Sequence, residues 1–223
     1  MPLALFDLDN TLLAGDSDYE WGVFLVNKGL VDGDIYREAN EKFYRQYANG
    51  ELDIHEFLNF SLGPLAIIEP ATLASLHDEF MEKHIRAMMT RTGIRRVVQH
   101  RDAGDITLII TATNSFVTAP IASAFGVDHL IATEPEIIDG RYTGKVAGVP
   151  SFQHGKITRL EAWMSEHGTS LAGSTFYSDS HNDLPLLERV DTPVAVDPDD
   201  ILRQTATERG WTIESFKAAD HLL

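Results

Sequence analysis

The sequence predicts an α/β fold built on a doubly wound parallel sheet, with a helical segment inserted after the first strand. Short apolar runs alternate with helix-like segments along most of the chain, which is typical of a parallel sheet covered on both faces. Residues 15–90 differ, because their apolar side chains recur at three- and four-residue spacings and no part alternates. We therefore expect a Rossmann-like core of residues 1–14 and 91–223, with residues 15–90 as a helical cap.

The core elements follow in order from local signals. The apolar run of residues 3–6 predicts a fully buried strand. Further strands are predicted at residues 106–111, 129–132, 174–178 and 193–196. Helices are predicted at residues 115–126, ending at Gly126, at 154–167, stopped by Gly168, from Leu184 onward, and at the C-terminus. The Asp139-Gly140 dipeptide predicts a tight hairpin.

The insert is expected to contain about four helices. Asp32-Gly33 and Asn49-Gly50 are turn dipeptides within it, and Gly63-Pro64 interrupts the pattern again. Aromatic residues are frequent here, and they have two interpretations: they form the core of the helical bundle, or some of them line a site and stack on a ring of the ligand. These residues are Trp21, Phe24, Phe43, Tyr44 and Tyr47.

Composition excludes several classes of function. The chain has 223 residues, and its 18 basic against 34 acidic side chains give a formal charge of −16. This charge disfavours binding to a nucleic-acid backbone or to an anionic membrane. With no cysteine, disulfides and thiolate chemistry are absent. We expect a cytoplasmic protein, since no secretion signal or membrane span is evident. The sequence leaves the oligomeric state open.

Three predicted strands are each followed by a polar cluster. Asp7 and Asp9 follow the first, Thr111 ends the second, and Asp179 and Asp183 follow the strand at 174–178. The carboxyl ends of parallel strands meet at one edge of a sheet, so these clusters should converge. Carboxylates gathered there repel one another unless a cation lies among them, and an all-oxygen donor set indicates Mg²⁺. A magnesium ion beside a free carboxylate suits phosphoryl transfer through an aspartyl-phosphate.

Four segments, in this order, resemble the four signatures of the haloacid dehalogenase superfamily. The resemblance covers essentially the whole chain, and the position and helicity of the insert are similar to the C1-type cap of the phosphoserine-phosphatase-like branch. The segments are Phe6-Asp7-Leu8-Asp9-Asn10-Thr11-Leu12, Leu108-Ile109-Ile110-Thr111, Gly155-Lys156 and Tyr177-Ser178-Asp179-Ser180-His181-Asn182-Asp183.

The resemblance implies a role for each signature residue. Asp7 would be the nucleophile and a metal ligand. Asp9 would be the general acid and base, and its main-chain carbonyl would bind the metal. Lys156 would stabilise charge on the phosphoryl group and on Asp7. Asp179 would ligate Mg²⁺ directly, and Asp183 would do so through water or by supporting Asp179. The remaining members would brace the loops or hold the phosphoryl group: Thr11 and Asn182 as supports, and Thr111 and the Ala112 amide as phosphoryl ligands, with Thr113 lining the same site.

The second signature departs from its branch. The branch often has Ser-Gly-Gly where this chain has Thr111-Ala112-Thr113, so the hydroxyl is retained and two side chains are added that narrow the site. Thr111 also has a structural interpretation, as the N-cap of the following helix, which is compatible with a functional role.

The leaving group is predicted by what the insert retains and lacks. Phosphoserine phosphatases of this branch hold the substrate amine with an acidic residue nine positions after the nucleophile, which is Asp16 here. The arginine that holds the substrate carboxylate falls on Ser61 when aligned without gaps, and a buried carboxylate without a cation is costly. The resemblance therefore favours a small amine-bearing phosphate, best histidinol phosphate, and a place in amino-acid biosynthesis. Asp16 also has a structural interpretation as a helix cap.

Two alternatives remain open. A phosphoserine phosphatase would use the same signatures. A phospho-receiver, or a binding module that keeps its aspartyl-phosphate, would need neither an acid and base at Asp9 nor a large insert over the site.

Overall fold

The computed structural model describes residues 1–217 and is organised around one seven-stranded sheet. The strand order is β4-β3-β2-β1-β5-β6-β7. All neighbours are parallel except β3 and β4, which form an antiparallel hairpin. The strands are β1 Leu3–Phe6, β2 Ile106–Asn114, β3 His129–Ile138, β4 Arg141–Ala147, β5 Thr175–Ser178, β6 Thr192–Val196 and β7 Thr212–Glu214. The predicted α/β fold with a mostly parallel sheet is confirmed.

The helices of the insert are more numerous than expected. Six α-helical segments replace the predicted four or so, because Pro64 and Pro70 each begin a new helix at its first turn. These are α1 Ser17–Asn27, α2 Gly33–Ala48, α3 Ile54–Ser61, α4 Gly63–Ile67, α5 Pro70–Phe80 and α6 Arg86–Met88, the last two joined by a π-helical turn at Met81–Ile85.

Four of the core helices lie where the sequence predicted them, and a fifth, α7 Arg91–Asp102, was not predicted. The four are α8 Ser115–Phe125, α9 His154–His167, α10 Leu184–Leu187 and α11 Asp200–Arg209. Gly126 and Gly168 both adopt left-handed φ at the ends of α8 and α9, as a C-terminal glycine does. Strand β7 was not predicted, since its three residues follow the last helix as a short edge strand.

The first strand lies at the centre of the sheet and is buried on both faces. Ala4 and Phe6 belong to a hydrophobic cluster that includes insert residues, whereas Leu3 and Leu5 belong to a second cluster behind the sheet. Apolar burial of this kind stabilises by roughly 25 cal/mol for each Å² removed from water. The burial of β1 on both faces therefore fixes the position of Asp7, the residue that follows it.

The insert enters and leaves the core through two adjacent segments. Leu13 and Met89 form an isolated antiparallel bridge, and the Thr90 amide and hydroxyl both donate to the Leu12 carbonyl. The Ala14 amide donates to the Met88 carbonyl at 2.7 Å.

The helices were also compared with the requirements of a bilayer. No single helix within residues 1–217 is both long and apolar enough to cross one. One pair of helical stretches, Ile54–Ile67 and Pro70–Met88, reaches the required length and composition only when taken together across a 114° bend.

Candidate active site

Most of the predicted site residues lie at or just after the carboxyl ends of β1, β2 and β5, while Lys156 lies on α9 and Asp16 caps α1. Asp7 directly follows β1, and its amide donates to the Tyr177 carbonyl of β5 at 2.9 Å. The loop then turns through Asn10, which has a left-handed φ of 59° and whose amide donates to the Gly15 carbonyl. Asparagine tolerates this conformation better than most residues, so the turn that follows Asp9 is formed at little cost.

Lys156 is the cation at the centre of the site. It is 3% exposed, and its Nζ donates to Asp7 Oδ1 at 2.7 Å and to Asp183 Oδ2 at 2.8 Å. Burial by itself lowers the pKa of Lys156, but the carboxylates of Asp183 and Asp7 outweigh it and raise that pKa. The lysine is therefore held in its charged form against the predicted nucleophile.

Asp7 and Asp179 approach each other through Thr11. The Thr11 hydroxyl lies 3.0 Å from Asp179 Oδ1 and 3.5 Å from Asp7 Oδ2. Burial raises the pKa of Asp7 from 3.8 to about 7 against the opposing effect of Lys156. Burial and the neighbouring Asp7 raise the pKa of Asp179 well above its usual value. This region thus holds more negative charge than its one lysine neutralises.

The donor set fits Mg²⁺. Asp7 and Asp179 bring oxygen ligands around one hydroxyl, which is the ligand chemistry that this ion prefers. Asp183 is engaged elsewhere, since its Oδ2 accepts from Lys156 and, at 2.7 Å, from Ser178. Within residues 1–217, no three His, Asp or Glu side chains form a ready-made metal cluster, so protein carbonyls or water would complete the coordination.

Asp9 is held by two hydrogen bonds, one from the insert and one from β2. Its Oδ1 accepts from the Ser17 amide at 2.6 Å, and its Oδ2 accepts from the Thr113 hydroxyl at 2.8 Å. Burial, together with the Asp16 carboxylate, raises the pKa of Asp9 to about 6, although the Ser17 and Thr113 bonds oppose the rise. A carboxyl group with such a pKa can both release and accept a proton near neutral pH.

The second signature is positioned by the extension of β2 to Asn114. Thr111 is 1% exposed, and its Oγ1 accepts from the Thr113 amide at 3.2 Å. The Ala112 carbonyl accepts from the Thr133 hydroxyl at 2.7 Å, which fixes the strand end against β3. The interpretation of Thr111 as a helix cap is wrong, because Asn114 caps α8 by accepting from the Val117 amide.

Asp16 and Asp18 form an acidic wall between the insert and the core. Asp16 Oδ1 accepts from the Asp18 and Tyr19 amides and so caps α1. Asp18 Oδ1 accepts from the Asn114 side-chain amide at 3.2 Å. Burial, then the carboxylates of Asp16 and Asp9, raise the pKa of Asp18 well above its usual value. Neither wall residue forms an ion pair within residues 1–217.

Sequence reasoning selected Asp16 and missed Asp18. The two lie in the first turn of one helix, and the acidic pair Asp16-x-Asp18 was visible in the sequence. Its proximity to Asn114 depends on how α1 packs on the core, which no local signal reveals.

Asn182 links the fourth signature to two other segments. Its Oδ1 accepts from Gln153 Nε2 at 2.8 Å, and its Nδ2 donates to Ser180 Oγ at 3.3 Å and to the Tyr47 carbonyl at 3.4 Å. Ser180 also accepts from the Tyr47 hydroxyl at 3.1 Å. Sequence reasoning gave Ser180 no role of its own, and it left Tyr47 as one of five insert aromatics that either form the bundle core or line a site.

The insert aromatics divide between the two interpretations. Trp21 and Phe24 are buried in a ring cluster with Phe80, and Phe43 is buried against Phe57, so these three are core residues. Tyr47 alone of the five reaches the fourth signature. Ser61 is buried, and its hydroxyl has no hydrogen-bond partner within residues 1–217.

Comparison with known proteins agrees with this geometry. Residues 4–188 match the family model of haloacid dehalogenase-like hydrolases. A histidinol-phosphatase of Neisseria meningitidis is 49% identical over 96% of this chain and 99% of its own length. A phosphoserine phosphatase of Mycobacterium tuberculosis is 35% identical over 97% of this chain and 71% of its own.

A solved structure gives the same result for the fold. The crystal structure of a protein of unknown function from Bordetella pertussis is 49% identical and superposes with a TM-score of 0.90 over 96% of this chain and 97% of its own. The family match covers all four signatures, and the curated relatives of known activity are phosphatases. The chain therefore belongs to the haloacid dehalogenase-like hydrolase family and is a phosphatase.

Proposed function

We propose that the chain is a Mg²⁺-dependent phosphomonoesterase that hydrolyses histidinol phosphate through an aspartyl-phosphate on Asp7, with residues 15–90 as the cap over the site. The observation that carries this proposal is the buried contact of Lys156 with Asp7 beside Asp179. This contact places a fixed cation against the Asp7 carboxylate, and the neighbouring Asp179 adds negative charge that a metal ion can neutralise.

In the first step, an Asp7 carboxylate oxygen attacks phosphorus and the bond from phosphorus to the ester oxygen breaks. Asp9 gives its proton to the departing alkoxide, which leaves as an alcohol. Lys156 and the Thr111 hydroxyl hold the phosphoryl oxygens, with Ala112 and Thr113 at the same strand end. Asp7, Asp179 and the Asp9 carbonyl would hold Mg²⁺, which would neutralise charge on the phosphoryl group and orient that group.

In the second step, Asp9 accepts a proton from water as the water oxygen attacks phosphorus. The bond between phosphorus and the Asp7 oxygen breaks, which releases inorganic phosphate and restores the Asp7 carboxylate. Both steps need Asp9 at a fixed position, and the bonds from Ser17 and Thr113 provide it. Asp183 holds Lys156 from the other side, and Thr11 and Asn182 brace the loops.

The acidic wall supports an amine-bearing leaving group. Asp16 and Asp18 face no cationic partner within residues 1–217, so an ammonium group from the substrate would complete them. Histidinol phosphate carries an amine and an imidazole but no carboxylate. The Neisseria relative named a histidinol-phosphatase supports this choice, since it is 49% identical over nearly its whole length.

Phosphoserine is the second candidate, favoured by the mycobacterial relative. Its carboxylate needs a cation, and the aligned position is Ser61, whose buried hydroxyl has no partner within the described residues. A receiver that keeps its phosphate is disfavoured by the raised pKa of Asp9, which suits proton transfer.

A panel assay tests the proposal. Phosphate release with Mg²⁺ is measured on histidinol phosphate, phosphoserine, phosphoethanolamine and sugar phosphates. We expect the largest kcat/KM on histidinol phosphate. A clear preference for phosphoserine would overturn the substrate assignment, and a labelled phosphoprotein that does not turn over would overturn the enzyme mechanism.

A further inference from the structure

The C-terminal end of α2 contacts the loop that carries Asp179 and Asp183. Tyr47 makes this contact with both its side chain and its main chain. Its hydroxyl donates to Ser180 Oγ at 3.1 Å, and its carbonyl accepts from Asn182 Nδ2 at 3.4 Å. Two bonds thus join one residue of the insert to the fourth signature of the core.

The surroundings of the Tyr47 hydroxyl belong to the reaction centre. Ser180, which accepts its hydrogen bond, is 3% exposed, whereas 36% of Tyr47 remains exposed. A partly exposed residue of the insert thus reaches a buried residue of the core through its hydroxyl. Burial, then the carboxylates of Asp179, Asp7 and Asp183, raise the pKa of Tyr47 well above its usual value, which agrees with a hydroxyl close to all three.

The turn after Tyr47 also lies against the loop that follows β5. The Gly50 amide donates to the Tyr47 carbonyl, and Gly50 has a left-handed φ of 70°. A Cβ placed on Gly50 would lie 3.4 Å from His181 Nε2. The His181 ring is itself held by Asp199, with its Nδ1 2.8 Å from Asp199 Oδ2. The insert is therefore closed on the core at Tyr47 and at Gly50.

We propose that the Tyr47–Ser180 hydrogen bond is a latch that holds the turn at residues 47–52 against the Asp179–Asp183 loop, and that Tyr47 is thereby a positioning residue for substrate binding. The inference rests on the proposed function, because it concerns closure over the same site. A site that binds only when closed has an apparent Kd equal to the intrinsic one divided by the closed fraction. Breaking the latch lowers that fraction.

Tyr47→Phe removes the hydroxyl and keeps the ring, which packs 6.2 Å from Phe152 between centroids. Tyr44→Phe is the matched control, since Tyr44 lies on the same helix and is 71% exposed. One neutral hydrogen bond changes an equilibrium by roughly three- to tenfold. We expect Tyr47→Phe to raise KM for histidinol phosphate by up to about that factor, with kcat within about twofold, and Tyr44→Phe to change neither.

A double-mutant cycle separates the latch from other roles of Ser180, which also accepts from the Asn182 amide. In a Ser180→Ala background, Tyr47→Phe should have no further effect on KM, because the two changes remove the same bond. An unchanged Tyr47→Phe effect in that background would overturn the latch, since Tyr47 would then act directly on substrate. Identical kinetics for Tyr47→Phe and Tyr44→Phe would overturn it as well.

Amide hydrogen exchange without substrate gives an independent measurement. The latch predicts faster exchange at residues 47–52 in Tyr47→Phe than in the wild type or Tyr44→Phe, with equal thermal midpoints for all three. If the wild type releases no phosphate but this exchange difference is present, only the proposed function fails. If the exchange is equal in all three proteins, the latch fails whatever the activity.

Discussion

The two ends of the site differ in how their charges are balanced. At the proposed phosphate end, the buried Lys156 contacts both Asp7 and Asp183, so the protein supplies one cation of its own to the buried carboxylates. At the proposed leaving-group end, Asp16 and Asp18 have amide donors as partners but no cation within the described residues. The protein thus supplies its own cation where all substrates are alike and leaves the charge open where substrates differ.

This difference predicts that the catalytic steps and the choice of substrate depend on different residues. Changes at the phosphate end should lower turnover for every phosphate ester, whereas changes at the acidic wall should lower it only for substrates with an amine. The four predictions below test this division, beginning with the largest expected effect.

Asp7→Asn should lower phosphate release by more than about 10⁴-fold, because the amide is not a nucleophile and removing the nucleophile stops the covalent step. The loss should be equal for histidinol phosphate and for phosphates without an amine. Circular dichroism checks that the fold is retained. Full turnover by this variant would remove Asp7 from the mechanism.

Asp9→Asn should lower kcat by about 10²- to 10⁴-fold, the usual range for loss of a general acid and base. Asparagine keeps one oxygen that accepts from the Ser17 amide, and its NH2 group can donate to the Thr113 hydroxyl in place of the present bond, so the loop geometry is preserved. Labelling with phosphate should show a longer-lived phosphoprotein than in the wild type. A short-lived phosphoprotein would mean that another group activates water.

Asp16→Asn and Asp18→Asn should each raise KM for histidinol phosphate by about 10- to 100-fold, because each loses a charge-assisted bond to a cationic leaving group. Asparagine is as good a helix cap as aspartate, so α1 is kept. Sugar phosphates should be affected less than about threefold at this end of the site. Asp34→Asn is the control, since the Asp34 side chain is 94% exposed on α2. Equal losses on amine-bearing and amine-free substrates would contradict the division.

Mg²⁺ affinity should fall as pH decreases through about 7, by at most about tenfold for each pH unit, because protons compete for Asp7. Calorimetry at several pH values, in buffers of different ionisation enthalpy, measures both affinity and protons released. Without metal, the raised pKa of Asp7 means that the folded state holds a proton which the unfolded chain has lost. The stability that this proton contributes is therefore lost as pH rises from 3.8 to about 7. A Mg²⁺ affinity that does not change with pH would refute the prediction that protons compete with the metal for Asp7.

Much of the fold was predictable from the sequence, because short apolar strands alternate with helices. The approach of Asp7 to Asp179 was predictable too, since parallel strands bring their carboxyl ends to one edge, while the catalytic roles of these residues stay predictions. The role of Thr113 was not predictable, since its hydroxyl reaches Asp9 only because β2 continues to Asn114. Tyr47 was one of several insert aromatics with equivalent spacing. Which of them meets Ser180 depends on how α2 lies over the core, and helical periodicity carries no information about that.

The crossing between insert and core has a consequence for how such proteins diversify. Both ends of the insert pass through the paired segments around Leu13 and Met89, joined by main-chain bonds at Leu12–Thr90 and Ala14–Met88. The span to be bridged is the width of two neighbouring strands, and loop-closure entropy grows only slowly with added length. A different helical insert with closely spaced ends could therefore be joined to the core through these paired segments. Evolution can thus exchange the insert while β1 and Asp7 stay unaltered.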